Sequence, residues 1–250
     1  MKIIVCIKPT PDAETEITIQ NLNTAPLTLS PFDGYAIEAA LHQKDALSAT
    51  VTALCIGNLA AKDALKHTLA IGADDAILIN DPALNDLDTQ GAARLLAAAA
   101  QKLGVQMLLF GRQSLDHGTG LMPAQTARVL GWPLLSLADS IQVDDQSVTV
   151  TRSFEEGRQT VHAGLPAVIS ITQAIGEPRY PTFMGIRKAA RAGIAIWSLA
   201  DLGLAMPAPV TRRQTLFAPA RNLPCELISG DSPKEIAEKL AAKILAENVL

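Results

Sequence analysis

Residues 88–131 read DTQGAARLLAAAAQKLGVQMLLFGRQSLDHGTGLMPAQTARVLG. Residues 88–104 have the Ala- and Leu-rich composition of a helix, and Gly104 closes it. VQMLLFG (105–111) is a short apolar run with no alternation, as in a strand buried on both faces of a parallel sheet. After a polar loop, GTGLMPAQTARVLG (118–131) returns to helical spacing. Helix, strand, loop and helix in this order make half of a parallel α/β unit.

The same alternation extends toward the N-terminus. KIIVCIK (2–8), ATVTALCIG (49–57) and DDAILIND (74–81) read as strands. YAIEAALHQKD, with Ser30 as candidate cap and Pro31 just ahead of it, and LAAKDALKHTLAIGA (59–73) read as helices. Right-handed crossovers then give a doubly wound, three-layer α/β domain with a mainly parallel, Rossmann-like sheet. After Trp132-Pro133 the character changes. SVTVTRSF alternates strictly, and turn pairs fall at Asp144-Asp145 and Glu156-Gly157, which predicts an antiparallel extension over 135–172. Prolines 207, 209, 219, 224 and 233 punctuate an extended arm, and SPKEIAEKLAAKILAENVL closes the chain as a helix capped by Ser232, with Pro233 at its first position. The predicted organisation is an α/β domain over 1–204, then an arm and C-terminal helix over 205–250.

With 250 residues the chain can bury about three quarters of its unfolded surface, so it needs no disulfides or structural metal. A net charge of −4 argues against a general nucleic-acid or membrane-surface binder, and no apolar stretch is long enough to span a bilayer. Arg187, Lys188 and Arg191 form a local basic cluster, read as a solvated helix face or a contact for an acidic partner. The cysteines Cys6, Cys55 and Cys225 form no C-x-x-C pair, and the histidines have no zinc-type spacing. The expected setting is a reducing, cytoplasmic one, without metal and without membrane insertion.

Open parallel sheets bind ligands at the carboxyl ends of their strands. The richest loop there is GRQSLDHGTG, after the fourth strand. Gly111 allows a tight exit, Gly118 and Gly120 let backbone N–H groups approach a ligand, and the following helix N-terminus favours a phosphate. Asp116 and Thr119 either contact a ligand or merely cap the helix. No G-x-G-x-x-G follows the first strand and no P-loop occurs, which disfavours a dinucleotide dehydrogenase or P-loop enzyme. No catalytic constellation emerges. In EPRYPTFMG (177–185), Phe183 and Met184 sit in a proline-bounded loop as interface anchors or as a local core.

Taken together and in this order, these segments resemble the β subunit of electron transfer flavoproteins over about residues 1–204. The most specific, EPRYPTFMGIRKAARAGIAIW (177–197), is similar to the family's Asn-Glu-Pro-Arg-Tyr loop followed by a basic helix and a short strand. SPFDGYAIEAAL (30–41), GADDAILI, LLFGRQSLD and LPAVISIT also fit.

The resemblance implies an electron carrier, not an enzyme in itself, paired with an α subunit that holds most contacts to a redox-active FAD. The β subunit would bind an adenine nucleotide, either AMP or a second FAD. By position, the pocket would use the Cys6 backbone, Ser30, Pro31, Phe32, Asp33 and Ile56. It would also use Gly111, Arg112, Gln113, Asp116, Gly118, Thr119, Gly120, Leu121 and Met122. An acyl-CoA-type or other flavin dehydrogenase would grip the loop 177–187 through Glu177, Pro178, Arg179, Tyr180, Phe183, Met184 and Arg187, with Phe183 in the place of an anchoring Leu.

The chain departs from the family pattern at several positions. His117 and Gly118 replace acids, Leu121 replaces Gln, Pro123 replaces a small residue and Ser30 replaces Asn. The alternative on the same fold is a stand-alone adenine-nucleotide sensor of the universal-stress type. An ATP-cleaving ligase type would want a Ser-Gly-Gly-x-Asp loop where this chain has KPTPD.

Overall fold

The computed structural model describes residues 1–12, 14–18, 20–21, 24–205, 208–211, 214–215, 217 and 225–247. The chain forms two compact units, Met1–Thr215 and Leu216–Leu250. In chain order the strands of the first unit are β1 (Lys2–Ile7), β2 (Thr10–Pro11), β3 (Leu27–Thr28), β4 (Thr50–Ile56), β5 (Asp75–Ile79), β6 (Met107–Gly111) and β7 (Leu134–Ala138). They continue as β8 (Ser140–Val143), β9 (Ser147–Phe154), β10 (Gly157–Gly164), β11 (Ala167–Ile171) and β12 (Ala195–Trp197). The helices are α1 (Pro31–Leu47), α2 (Lys62–Ile71), α3 (Thr89–Leu103), α4 (Leu121–Leu130) and α5 (Phe183–Arg191), with α6 (Pro233–Ala246) in the second unit.

The main sheet has seven parallel strands in the order β12-β5-β4-β1-β6-β11-β7. Alternate residues of β1 enter opposite cores. Ile3, Val5 and Ile7 meet Ile37 and Leu41 of α1 and Leu65 and Leu69 of α2, while Ile4 and Cys6 meet Leu95 and Leu96 of α3. Two helical layers thus cover both faces, which is why the strands are continuously apolar. α3 is capped by Asp88, whose Oδ1 accepts the Gly91 N–H at 2.8 Å, and Gly104 closes it at φ 61°. Among the described residues no helix is long and apolar enough to cross a membrane.

The predicted antiparallel extension over 135–172 is corrected at both ends. Only β8, β9 and β10 are antiparallel, in a separate three-stranded sheet. β7 and β11 are parallel members of the main sheet, and β11 lies between β6 and β7. The physical difference is legible in burial. AVISI of β11 is buried at every position, whereas β9 alternates over its first residues.

Two helices begin earlier than the spacing predicts. Pro31-Phe32-Asp33-Gly34 is the first turn of α1 rather than a turn ahead of it. Ser30 stands at its N-cap position, but its hydroxyl caps nothing; its carbonyl accepts the Asp33 and Gly34 N–H groups. Likewise Phe183–Arg187 opens α5, because the Thr182 hydroxyl accepts the Gly185 N–H at 2.9 Å. Gly185 is required there: a Cβ would lie 2.2 Å from the Ala70 carbonyl oxygen of α2.

In the second unit Ser232 caps α6 through the Glu235 N–H, and the Glu235 carboxylate returns to the Asp231 N–H, a reciprocal cap. The predicted arm falls in part, at 206–207, 212–213, 216 and 218–224, on residues outside those described.

Candidate functional site

From β1 the chain steps to β4 on one side, and later to β6 on the other. Strand order reverses there, so the carboxyl ends of β1 and β6 flank a natural crevice. A cleft of about 470 Å³ occupies this edge. Of the expected pocket residues, Cys6, Asp33, Ile56, Gly111, Gln113, Thr119, Gly120, Leu121 and Met122 line it. Ser30, Pro31, Phe32, Arg112, Asp116 and Gly118 are not in its lining. Leu121, in the place of Gln, lines the cleft and is 46% exposed.

Gly111 has a tighter role than a strand exit. A Cβ there would lie 2.7 Å from the carbonyl carbon and oxygen of Phe32 and 2.8 Å from Oδ1 of Asp33. The end of β6 therefore packs directly on the first turn of α1, which puts Asp33 in the cleft wall. Asp33 is buried and accepts the Lys8 N–H at 2.7 Å. Burial pushes its carboxyl up to about 7, against the Lys8 N–H and ammonium, with the Asp116 charge adding to the rise. Burial also raises the Cys6 thiol well above its usual range, with Asp33 and Cys55 contributing, so this wall presents a neutral thiol.

Since Asp33 is raised in the folded chain, the native state holds a proton that the unfolded state has lost between about pH 4 and pH 7. This contribution is present below pH 4 and disappears as pH rises through about 7. Asp33→Asn keeps an acceptor for Lys8 and removes the titration. The variant is expected to melt higher than the parent at pH 8, with the gap closing toward pH 5. A gap independent of pH in thermal scans would exclude Asp33 as the titrating group.

KPTPD is one of the three loops that follow strands at this edge, but Lys8 itself is not among the expected pocket residues, and it lines the cleft. Its Nζ lies 2.5 Å from Asp116 Oδ2 and 3.0 Å from His117 Nδ1. The ion pair ties the loop after β6 to the end of β1. Partial burial works against the Asp116 charge, but hydrogen bonds from Lys8 and Ser114 and the Lys8 and His117 charges hold its carboxyl down at about 2. Asp116 is thus committed to Lys8 and does not cap α4. Thr119 reaches only the Leu121 N–H, at 3.5 Å. Gly120 occupies the N-cap position at φ 62°, and no side chain closes the helix. Pro123 removes one donor from the first turn, leaving the amides of Leu121, Met122 and Ala124.

The opposite wall comes from Asn58, Asn80, Asp81, Leu84, Leu87, Asp88 and Thr89, of which Asn58 alone lies in a loop marked from sequence, the IGN that follows the second strand. Its polar side chains are engaged locally: Asn58 accepts the Ala60 N–H, Asn80 donates to the Gly57 carbonyl, and Asp81 accepts from Ala83 and Leu199. Leu84, Leu87 and Leu96 leave this wall an apolar face. The signal that was available is positional, since each of these loops follows a parallel strand.

The model of the electron transfer flavoprotein domain matches residues 21–202. The chain is 32% identical to the electron transfer flavoprotein subunit beta of Megasphaera elsdenii, over the full length of both. It is 31% identical to the caffeyl-CoA reductase-Etf complex subunit CarD of Acetobacterium woodii, again over both full lengths. Against the subunit beta of Clostridium acetobutylicum, identity is 30% over 81% of this chain and 80% of the relative.

The chain belongs to the electron transfer flavoprotein β-subunit family.

In this family member the segment 177–187 splits into anchors and display. Arg179 turns inward. Its guanidinium contacts Glu38 at 2.9–3.1 Å and Asp45 at 3.0 Å, and its N–H donates to Glu38 at 2.8 Å. Pro178 packs over Gly34. Outward stand Tyr180, Phe183 and Met184, 89%, 74% and 69% exposed, so the local-core reading of the last two is set aside. Arg187 lies over the Phe183 ring at 6.0 Å, and Lys188 and Arg191 are solvated.

Proposed function

We propose that this chain is the β half of a heterodimeric electron transfer flavoprotein, with an α subunit holding most of the redox-active FAD. The FAD supplies the electron chemistry; this chain contributes its surroundings, a nucleotide site and a docking surface. The observation that carries the reading is the cleft at the strand-order reversal, within a chain of this family.

The residues suit an adenine nucleotide. Ile56, Leu84, Leu96 and Met122 provide an apolar slot for a flat ring. The uncapped start of α4 and the Lys8 ammonium provide for phosphate. The departures at Leu121 and Pro123 remove side-chain and amide contacts but leave this backbone cradle. AMP and a second FAD both match that chemistry. Tyr180, Phe183 and Met184 supply the aromatic and thioether contacts that anchor an interface, and a flavin dehydrogenase is the partner this reading assigns to them.

Co-expression with an α-type subunit, followed by a flavin spectrum and a nucleotide count, tests the assignment. One flavin with one AMP per heterodimer is the expected result, and two flavins assign the cleft to FAD. A flavin-free homodimer that binds ATP overturns the reading in favour of a sensor.

A further inference from the structure

Asp88 carries more than a helix cap. Its Oδ1 accepts the Gly91 N–H at 2.8 Å, while its Oδ2 accepts the Val210 N–H at 2.7 Å and the Thr211 N–H at 3.1 Å. One carboxylate thus joins the start of α3 to residues more than a hundred positions later. Asp88 also lines the cleft, between Leu87 and Thr89. Leu87 presses on Gly91, where a Cβ would meet Leu87 Cδ1 at 2.5 Å, so this corner has no slack. The Thr211 hydroxyl also reaches Asp88 Oδ2, at 3.5 Å; among the described residues no hydrogen bond joins 208–211 to any other group of the domain, and Val210 is 66% exposed.

We propose that residues 208–211 form a strap hung on Asp88 at the rim of the nucleotide cleft, and that cleft occupancy and strap closure reinforce each other. This rests on the nucleotide reading above. Two physical effects set the sign. The arm's N–H dipoles partly offset the Asp88 charge; released, the carboxylate keeps only the Gly91 N–H and presents more negative potential to an anionic ligand at this wall. The strap and the ligand also order the same short wall, Leu87–Thr89, and whichever binds first spares the other that entropy cost. Reciprocity then requires that the ligand protect the strap by the factor by which the strap tightens the ligand.

Two variants separate the strap from the wall. Asp88→Asn keeps an oxygen for the Gly91 N–H but turns an amide NH2 toward the arm. Thr211→Pro removes an arm donor and leaves every cleft residue in place. AMP, and separately FAD, is titrated calorimetrically into the full-length protein, and hydrogen exchange is followed at Val210 and Thr211. Thr211→Pro, which frees an arm contact but leaves the Asp88 charge in place, is expected to weaken binding roughly fivefold or more; Asp88→Asn removes the charge together with the arm's acceptor and is read by strap protection alone. In the parent the ligand is expected to slow exchange at Val210 and Thr211, and in Asp88→Asn that protection is expected to vanish. If the parent binds nucleotide, yet Thr211→Pro binds equally well and exchange at 210–211 ignores the ligand, the strap is refuted and the nucleotide site stands. If the parent binds neither AMP nor FAD, both readings fall together.

Discussion

Gly111→Ala is expected to lower the melting temperature by roughly 6–12 °C and to abolish nucleotide binding. The first figure follows from a cost of about 3 kcal/mol, the upper part of the overpacking range, and from the usual slope for a chain of this size. The upper part applies because the atoms in the way are not adaptable. The new methyl carbon would sit 2.7 Å from main-chain atoms of Phe32 and 2.8 Å from the buried Asp33 carboxylate. No side-chain rotation relieves that contact, so the end of β6 or the first turn of α1 must retreat. Both line or support the cleft, and α1 is held in place further along by the Glu38–Arg179 pair. Loss of binding therefore follows from the same displacement that lowers stability. Thermal unfolding together with AMP titration checks this, and a variant with parental melting and parental affinity would show that the two elements can separate at little cost.

The second large effect is expected at Arg179. Removing it leaves Glu38, whose side chain is only 4% exposed, with His42 Nε2 at 2.9 Å as its remaining side-chain contact. Stranding a buried charge typically costs about 3–5 kcal/mol, and the surviving histidine places Arg179→Ala near the lower figure, roughly 3 kcal/mol. Arg179→Lys is expected to recover only part of that, because a point charge cannot bridge Glu38 and Asp45 as the planar guanidinium does. Replacing both Glu38 and Arg179 by apolar residues is expected to recover most of it, since the penalty belongs to the unpaired carboxylate. Urea unfolding measures all three. A loss below 1 kcal/mol for the alanine variant would mean that the loop is held by Pro178 and Thr182 instead. The pair matters for docking as well, because Tyr180 follows Arg179 directly, and a fixed Arg179 presents it already oriented.

Arg179 also marks a limit of reading a sequence. Position within the EPRYP loop groups it with the displayed residues, yet its partners lie 134 and 141 positions away on α1. Lys8 and Asp116, 108 positions apart, were likewise invisible as a pair. The Asp88 contact with Val210 spans 122 positions. Charged pairs of this kind carry no periodicity, so nothing local announces them. The glycine-rich loop before α4 was legible because its signal is local: glycines, then helical spacing, directly after an apolar strand. Asn58 and Asp88 are local caps and Asn80 bonds the Gly57 carbonyl; that all three also border the cleft depends on which strand ends lie side by side.

What the amino-acid order determined by itself is the alternation of strands and helices, the cap at Ser232, and the cleft-forming loop at the end of β6. These follow from side-chain periodicity and from backbone groups that need partners within a few residues. Only the tertiary structure decided that β11 enters between β6 and β7, that SPFDG is a helical turn pressed against Gly111, and that Arg179 faces inward. Ladder hydrogen bonds join peptide groups that are alike in every strand, so a strand's neighbour is chosen by packing and crossover geometry, which no single stretch of sequence contains.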